Sequence, residues 1–78
     1  MDIRHGSARY LTEREHDHKE GWVALKLVCV VKGTRKVAGR LVYWDADGQF
    51  SLEMKVSELP LRVVEKLIQE AKDTIRVG

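Results

Sequence analysis

Three runs of strand-forming residues, joined by short glycine-containing links, constrain the fold of this chain more than any other feature. The runs are WVALKLVCVVK (22–32), KVAGRLVYWD (36–45) and QFSLEMKV (49–56). β-Branched, aromatic and aliphatic residues favour pleated strands, and the third run alternates strictly. A parallel crossover needs a dozen or more residues, which neither link offers. The sequence therefore predicts a three-stranded antiparallel meander.

One amphipathic helix is expected after the third run, from about residue 59 to 74. Ser57 is a candidate N-cap, and Pro60 suits the first turn. Apolar residues recur at three- and four-residue steps, which is typical of one buried helix face. They are Leu61, Val64, Leu67, Ile68, Ala71 and Ile75. The predicted fold is α+β, with order β-β-β-α and the helix packed on one sheet face.

Alternation places one set of side chains on the helix-facing side of the sheet. The expected core on this side is Val23, Leu25, Leu27, Cys29, Val31, Leu41, Tyr43, Phe50, Leu52, Met54 and Val56.

The pairing of the strands is predicted from turn chemistry and from burial. A two-residue turn at Asp47-Gly48 pairs Leu41 with Met54, apolar against apolar. In the first hairpin, a turn on Gly33-Thr34 puts Leu27 opposite a charged residue, whereas a shift of one residue pairs Leu27 with Leu41 and Leu25 with Tyr43. Because a slip of one residue moves every side chain to the other face, burial decides. This predicts a longer loop or a bulge near Lys32–Lys36 or at Gly39.

The first twenty residues differ from the rest of the chain. Residues 12–20, TEREHDHKE, contain no apolar side chain, and dense charge with little apolar surface does not offset chain entropy. We therefore expect residues 1–20 to form a flexible charged tail, mostly disordered, and residues 21–78 to form the domain.

Composition narrows the class of protein. An apolar content of 44% is too high for an intrinsically disordered chain. A single cysteine forms no internal disulfide, which points to a reducing compartment, and we expect a cytoplasmic protein. No stretch approaches the ~18 apolar residues of a membrane span, and no signal sequence is recognised.

Motifs for catalysis or cofactor binding are not recognised. The sequence has no glycine-rich phosphate loop and no arrangement typical of a catalytic triad. His5, His16 and His18 lie in the charged tail, where no further ligand is fixed, and Cys29 is expected in the core. We therefore predict a non-enzymatic binding module with no metal, no cofactor and no small-molecule substrate.

The second face of the predicted sheet suggests self-association. Val28, Val30, Val42 and Trp44 lie there, too many to be scattered surface residues, although the N-terminal segment could cover some of them. The first run would also be an exposed edge strand. A homodimer formed through that edge or through the Val/Trp face is the first functional hypothesis.

Nucleic-acid binding is the alternative hypothesis. Cations surround Trp44 on the same face, and the loop KGTRK adds three more, a combination of charge and a stacking platform that suits single strands. The candidate residues are Lys26, Lys32, Arg35, Lys36, Arg40, Trp44 and Lys55. The partner is thus predicted to be a protein or a nucleic acid.

Overall fold

The computed structural model describes residues 1–75 and contains five strands and one helix. The strands form one antiparallel sheet in sequential order, so the predicted three-stranded meander is wrong. The expectation of a mostly disordered N-terminal tail is wrong as well, since residues 1–20 supply the first two strands. The elements are β1 (Asp2–His5), β2 (Ala8–Asp17), β3 (Trp22–Val31), β4 (Thr34–Trp44), β5 (Gln49–Met54) and α1 (Leu61–Thr74).

β2 forms although half of it carries no apolar side chain. It pairs with β3 over ten residues, from Ala8 opposite Val31 to Asp17 opposite Trp22. Only Tyr10 of this strand is buried in the core. Backbone pairing and ion pairs with residues far along the chain thus replace apolar burial in β2. As a result, β3 is a central strand paired on both sides, not the predicted edge.

The β3–β4 hairpin has a two-residue loop, so the longer loop considered near Lys32–Lys36 is not formed. Lys32 (φ 50°) and Gly33 (φ 79°) occupy the two loop positions, as a type I′ turn requires. Leu25 therefore lies opposite Leu41 and not opposite Tyr43. The bulge expected at Gly39 is confirmed, because the register shifts between Leu27 and Val28 on the partner strand.

The β4–β5 hairpin has a four-residue loop in place of the predicted two-residue turn. Trp44 pairs with Gln49, and the Trp44 carbonyl accepts hydrogen bonds from the amides of Asp47 and Gly48. Leu41 therefore lies opposite Leu52 and not opposite Met54. The shift of two residues leaves every side chain on its predicted face.

α1 begins at Leu61 after Pro60, without a side-chain cap, so the predicted N-cap at Ser57 is wrong. The helix buries Val63, Leu67 and Ala71, whereas Leu61 and Ile68 of the predicted stripe are exposed. The helix is thus rotated from its expected orientation. Within residues 1–75, no helix has both the length and the apolar character needed to cross a membrane.

The core lies between α1 and the middle of the sheet. Its buried members are Tyr10, Leu25, Leu27, Cys29, Ala38, Leu41, Tyr43, Val63, Leu67, Ala71 and Ile75. Four residues that were expected in the core are exposed instead: Val31, Phe50, Leu52 and Met54. Three of these four form the helix-facing side of β5.

Gly39 allows β4 and β5 to approach closely at the bulge. A Cβ atom at this position would lie well inside van der Waals contact of the Glu53 carbonyl oxygen, which is backbone and cannot rotate away. We expect Gly39→Ala to lower the free energy of unfolding by about 2–3 kcal/mol. Urea denaturation followed by far-UV circular dichroism measures this. Gly6→Ala is the control, because nothing lies within 4 Å there and only the left-handed conformation costs about 1 kcal/mol. Equal losses for both variants would contradict the close approach.

Candidate interaction surfaces

A row of four charged residues crosses the sheet on the face opposite α1, which we call the open face. Glu13, Lys26, Arg40 and Glu53 lie directly opposite one another on β2, β3, β4 and β5. The Lys26 Nζ lies 3.1 Å from a Glu13 carboxylate oxygen, and the Arg40 guanidinium lies 3.7 Å from Glu53. Opposite charges directly across strands stabilise a sheet.

Glu15 joins the two central cations of this row. It accepts a hydrogen bond of 2.9 Å from the Arg40 Nε, and its second oxygen lies 3.7 Å from the Lys26 Nζ. This hydrogen bond raises the pKa of the Arg40 guanidinium. The like charges of Lys26 and Arg40, which face each other across β3 and β4, are thus held together by a shared carboxylate.

Two more of the basic residues predicted from the sequence, Arg35 and Lys55, lie at the two ends of this row. Arg35 donates a hydrogen bond of 2.9 Å to Glu13, and the Lys55 ammonium lies 3.4 Å from Glu53. The hydrogen bonds from Arg35 and Lys26 lower the pKa of Glu13. Four of the six predicted basic residues are therefore paired with three carboxylates, two of which come from the N-terminal segment.

The remaining two basic residues lie outside this row. Lys32 is in the β3–β4 turn, whereas Lys36 lies in β4 opposite Cys29, on the α1 side of the sheet. Both are exposed, and neither makes an ion pair with any described residue. The structure thus divides the basic candidates into four paired cations on the open face and two cations without an ion-pair partner among the described residues.

The apolar residues of the open face are mostly covered within the single chain. Val28 is 2% exposed and Val42 is 5% exposed, whereas Val30 and Trp44 are half-buried. Long side chains from neighbouring strands cover small ones on such a surface by laying their aliphatic stems along it. The four residues predicted for self-association therefore do not form one open patch.

A shallow cavity of about 310 Å³ lies at one end of the open face. Trp22 and Trp44 lie opposite each other on β3 and β4, with ring centroids 6.5 Å apart and planes inclined by 58°. Arg40 and Val42 complete this wall, and Glu15 and Glu53 add carboxylates. The sequence-based reasoning identified Trp44 but missed Trp22, whose position opposite Trp44 depends on the hairpin register.

A second cavity, of about 320 Å³, lies on the other side of the sheet, between α1 and β5. We call it the edge groove. It is lined by Leu41, Phe50, Leu52, Ile68, Ala71 and Lys72. On the described residues, six large apolar side chains are exposed, and five of them belong to β5 or α1: Phe50 (36%), Leu52 (42%), Met54 (45%), Leu61 (76%) and Ile68 (40%). β5 and α1 therefore carry most of the exposed large apolar side chains of residues 1–75.

The edge groove exists because α1 packs over β3 and β4. The Thr12 hydroxyl donates a hydrogen bond of 2.9 Å to the Glu70 carboxylate, and Arg14 donates one of 3.3 Å to the Thr74 carbonyl; these two bonds tie the helix to β2. Five strands at a spacing of about 4.8 Å span about 19 Å, whereas a helix is about 10 Å wide. One helix over β3 and β4 therefore leaves the helix-facing side of β5 partly uncovered.

The two edges of the sheet differ in how they are protected. β1 has four residues, and its Asp2 pairs with Arg9, which lowers the pKa of the Asp2 carboxyl. Short, charged edge strands resist pairing with another chain. β5 has six residues, and its helix-facing side chains are all apolar. β5 is the less protected edge.

The remaining reactive side chains do not converge on a site. Residues 1–75 contain no group of three or more His, Cys, Asp or Glu side chains placed to hold a metal ion. The rings of His16 and His18 lie 4.7 Å apart on the surface. Cys29 is buried beside Tyr10, and burial is the main cause of the raised pKa of the Tyr10 hydroxyl.

Comparison of the chain with protein families, with curated proteins and with solved structures finds no match.

The depressed pKa of Glu13 predicts a pH-dependent contribution to stability. A carboxyl whose pKa is lowered by folding stabilises the fold above its unfolded pKa of about 4.3, and this contribution is lost as the pH falls through the lower folded pKa. We therefore expect Glu13→Gln to be less stable than the unmodified chain at pH 7, and the difference to shrink as the pH falls below about 4.3. Urea denaturation at several pH values measures it. Glu58→Gln, at an exposed position outside the row, should show no such trend. A difference for Glu13→Gln that is constant with pH would refute the contribution of its charge.

Proposed function

We propose that this chain is a small non-enzymatic interaction module that self-associates, and that it uses the edge groove together with the free edge of β5. The observation that carries the proposal is the exposure of Phe50, Leu52 and Met54 on an edge strand with one unpaired side. Exposed apolar patches and long unprotected edges both favour pairing with another chain.

The titratable groups support a binding role over a catalytic one. Active sites shift pKa values by burial and specific partners in a cleft. Apart from Tyr10, whose pKa is raised mainly by burial in the core, the shifted groups Asp2, Arg9, Glu13 and Arg40 have a hydrogen-bonded ion-pair partner as the largest cause. Such shifts are those of a structural surface network. The buried, unpaired Cys29 is consistent with the proposed cytoplasmic location.

Self-association is tested by sedimentation equilibrium between 10 and 500 µM. We expect a mass of about twice the 9.0 kDa of the chain. Leu52→Lys should be monomeric, because it puts a charge into the apolar surface of β5. Val31→Lys is the matched control, since Val31 is 38% exposed but lies outside the edge groove, and it should remain dimeric. A monomeric unmodified chain, or equal behaviour of the two variants, would refute the proposal.

Binding of single-stranded nucleic acid on the open face is the second candidate. The observation that favours it is the cavity that Trp22, Trp44 and Arg40 line, because a base can stack on an indole ring while a guanidinium contacts phosphate. The uncompensated cation Lys32, in the β3–β4 turn, would add a contact to the nucleic-acid backbone. Against it, Arg40 already pairs with Glu15 and Glu53.

Tryptophan fluorescence tests the second candidate. If it holds, a single-stranded oligonucleotide at 50 mM salt quenches the emission, and Lys32→Ala weakens binding severalfold because a phosphate contact is lost. Lys66→Ala, on the helix, is the charge-matched control. Absence of quenching, or equal weakening by both variants, excludes the open face as a nucleic-acid site.

A further inference from the structure

We infer that two copies of this chain pair β5 with β5 in antiparallel orientation, with Leu52 on the two-fold axis, so that the two sheets join into one of ten strands. This inference rests on the proposed self-association and specifies its geometry.

The unpaired backbone groups of β5 belong to three residues. The Lys55 amide donates a hydrogen bond of 2.8 Å to the Ala38 carbonyl, so Lys55 directs its backbone groups toward β4. In an antiparallel ladder alternate residues do so, which assigns the groups of Glu53, Ser51 and Gln49 to β4 as well. The N–H and C=O groups of Phe50, Leu52 and Met54 therefore point to the free edge. These are also the three residues of β5 with exposed apolar side chains.

The alternation of side chains restricts how two such edges can meet. A two-fold axis perpendicular to the sheet keeps both helices on one side and places apolar residues of one β5 opposite apolar residues of the other. If one copy were instead turned over relative to the other, the two helices would lie on different sides of the joined sheet. Phe50 would then lie opposite a polar residue.

Among the remaining registers, only one pairs all three free residues. With Leu52 opposite the partner's Leu52, Phe50 lies opposite the partner's Met54, and Met54 opposite the partner's Phe50. Each of these pairs exchanges two backbone hydrogen bonds. A shift of the axis by one residue in either direction leaves one of the three outside β5 of the partner.

The side chains on the polar face of β5 are compatible with the same register. Glu53 lies opposite the partner's Ser51, and Lys55 lies opposite the partner's Gln49, so no like charges face each other directly. Moving the axis to Glu53 would place this carboxylate opposite its own copy, which destabilises a strand pair. A second copy therefore complements the edge in backbone, in apolar side chains and in charge.

The charged residues of β1, the other edge of the sheet, also favour pairing of two copies through β5. β1 is four residues long, and Asp2 and Arg4 lie on it as charged residues. Of the two edges of the described sheet, only β5 combines the greater length with free hydrogen-bonding groups and apolar side chains.

Disulfide trapping with Ser51→Cys and Glu53→Cys tests the register. In the inferred dimer, positions 51 and 53 of opposite chains form a pair with no mutual hydrogen bonds and a Cα separation of about 4.5 Å, close enough for a disulfide. Two copies of position 51 would be about 8 Å apart, which is too far. Both residues are exposed, and the unmodified chain with its buried Cys29 measures the background.

We expect a covalent dimer when the two variants are mixed under mild oxidation, at least tenfold more abundant than with either variant alone. Cross-linking of Ser51→Cys alone or of Glu53→Cys alone as the main product would show a shifted register and overturn the inference. If sedimentation shows a dimer but no variant cross-links, self-association stands and the β5 pairing is wrong. A monomeric chain overturns both, and the free edge would then be open to a strand of a different protein.

Discussion

The pairing of β2 with β3 is the interaction on which the rest of the structure depends. It extends over ten residue pairs and makes β3 a central strand. It brings Glu13 and Glu15 to the cations of β3 and β4, and Thr12 to Glu70 of the helix. The contacts between α1 and β2 and the ion pairs of the open-face cations both follow from this one pairing.

Alternation of side chains determined the faces correctly in β3, in β5 and in β4 from Gly39 onward, but not the partner of each residue. Before the bulge the alternation in β4 is inverted, so that Ala38 lies in the core. In both hairpins the predicted apolar pairs are two residues from the observed ones: Leu25 lies opposite Leu41, and Leu41 opposite Leu52. A period of two cannot distinguish registers that differ by two residues. The turns make that choice, and they were mispredicted because Lys32 adopts a positive φ and because the second loop has four residues.

β1 and β2 could not be predicted because their stabilisation is not local. Residues 12–20 carry no apolar side chain, and the ion pairs that involve Glu13 and Glu15 join positions 11 to 25 residues apart. Composition alone therefore suggested a solvated tail. The same omission affected the candidate site: the cations Lys26 and Arg40 were placed on one face of the sheet, but their carboxylate partners were assigned to a separate segment.

The width of the sheet explains why the exposed apolar surface is at β5. A helix about 10 Å wide covers most of a three-stranded sheet, and Phe50, Leu52 and Met54 would then be core residues, as the sequence pattern indicated. Two added strands move the centre of the sheet from β4 to β3, and the hydrogen bond from Thr12 to Glu70 ties the helix to β2. An N-terminal segment that is mostly charged thus leaves an apolar strand exposed at the opposite edge. The free edge of β5 and its exposed side chains have this common cause, so a partner strand placed there completes both the hydrogen bonding and the apolar contacts.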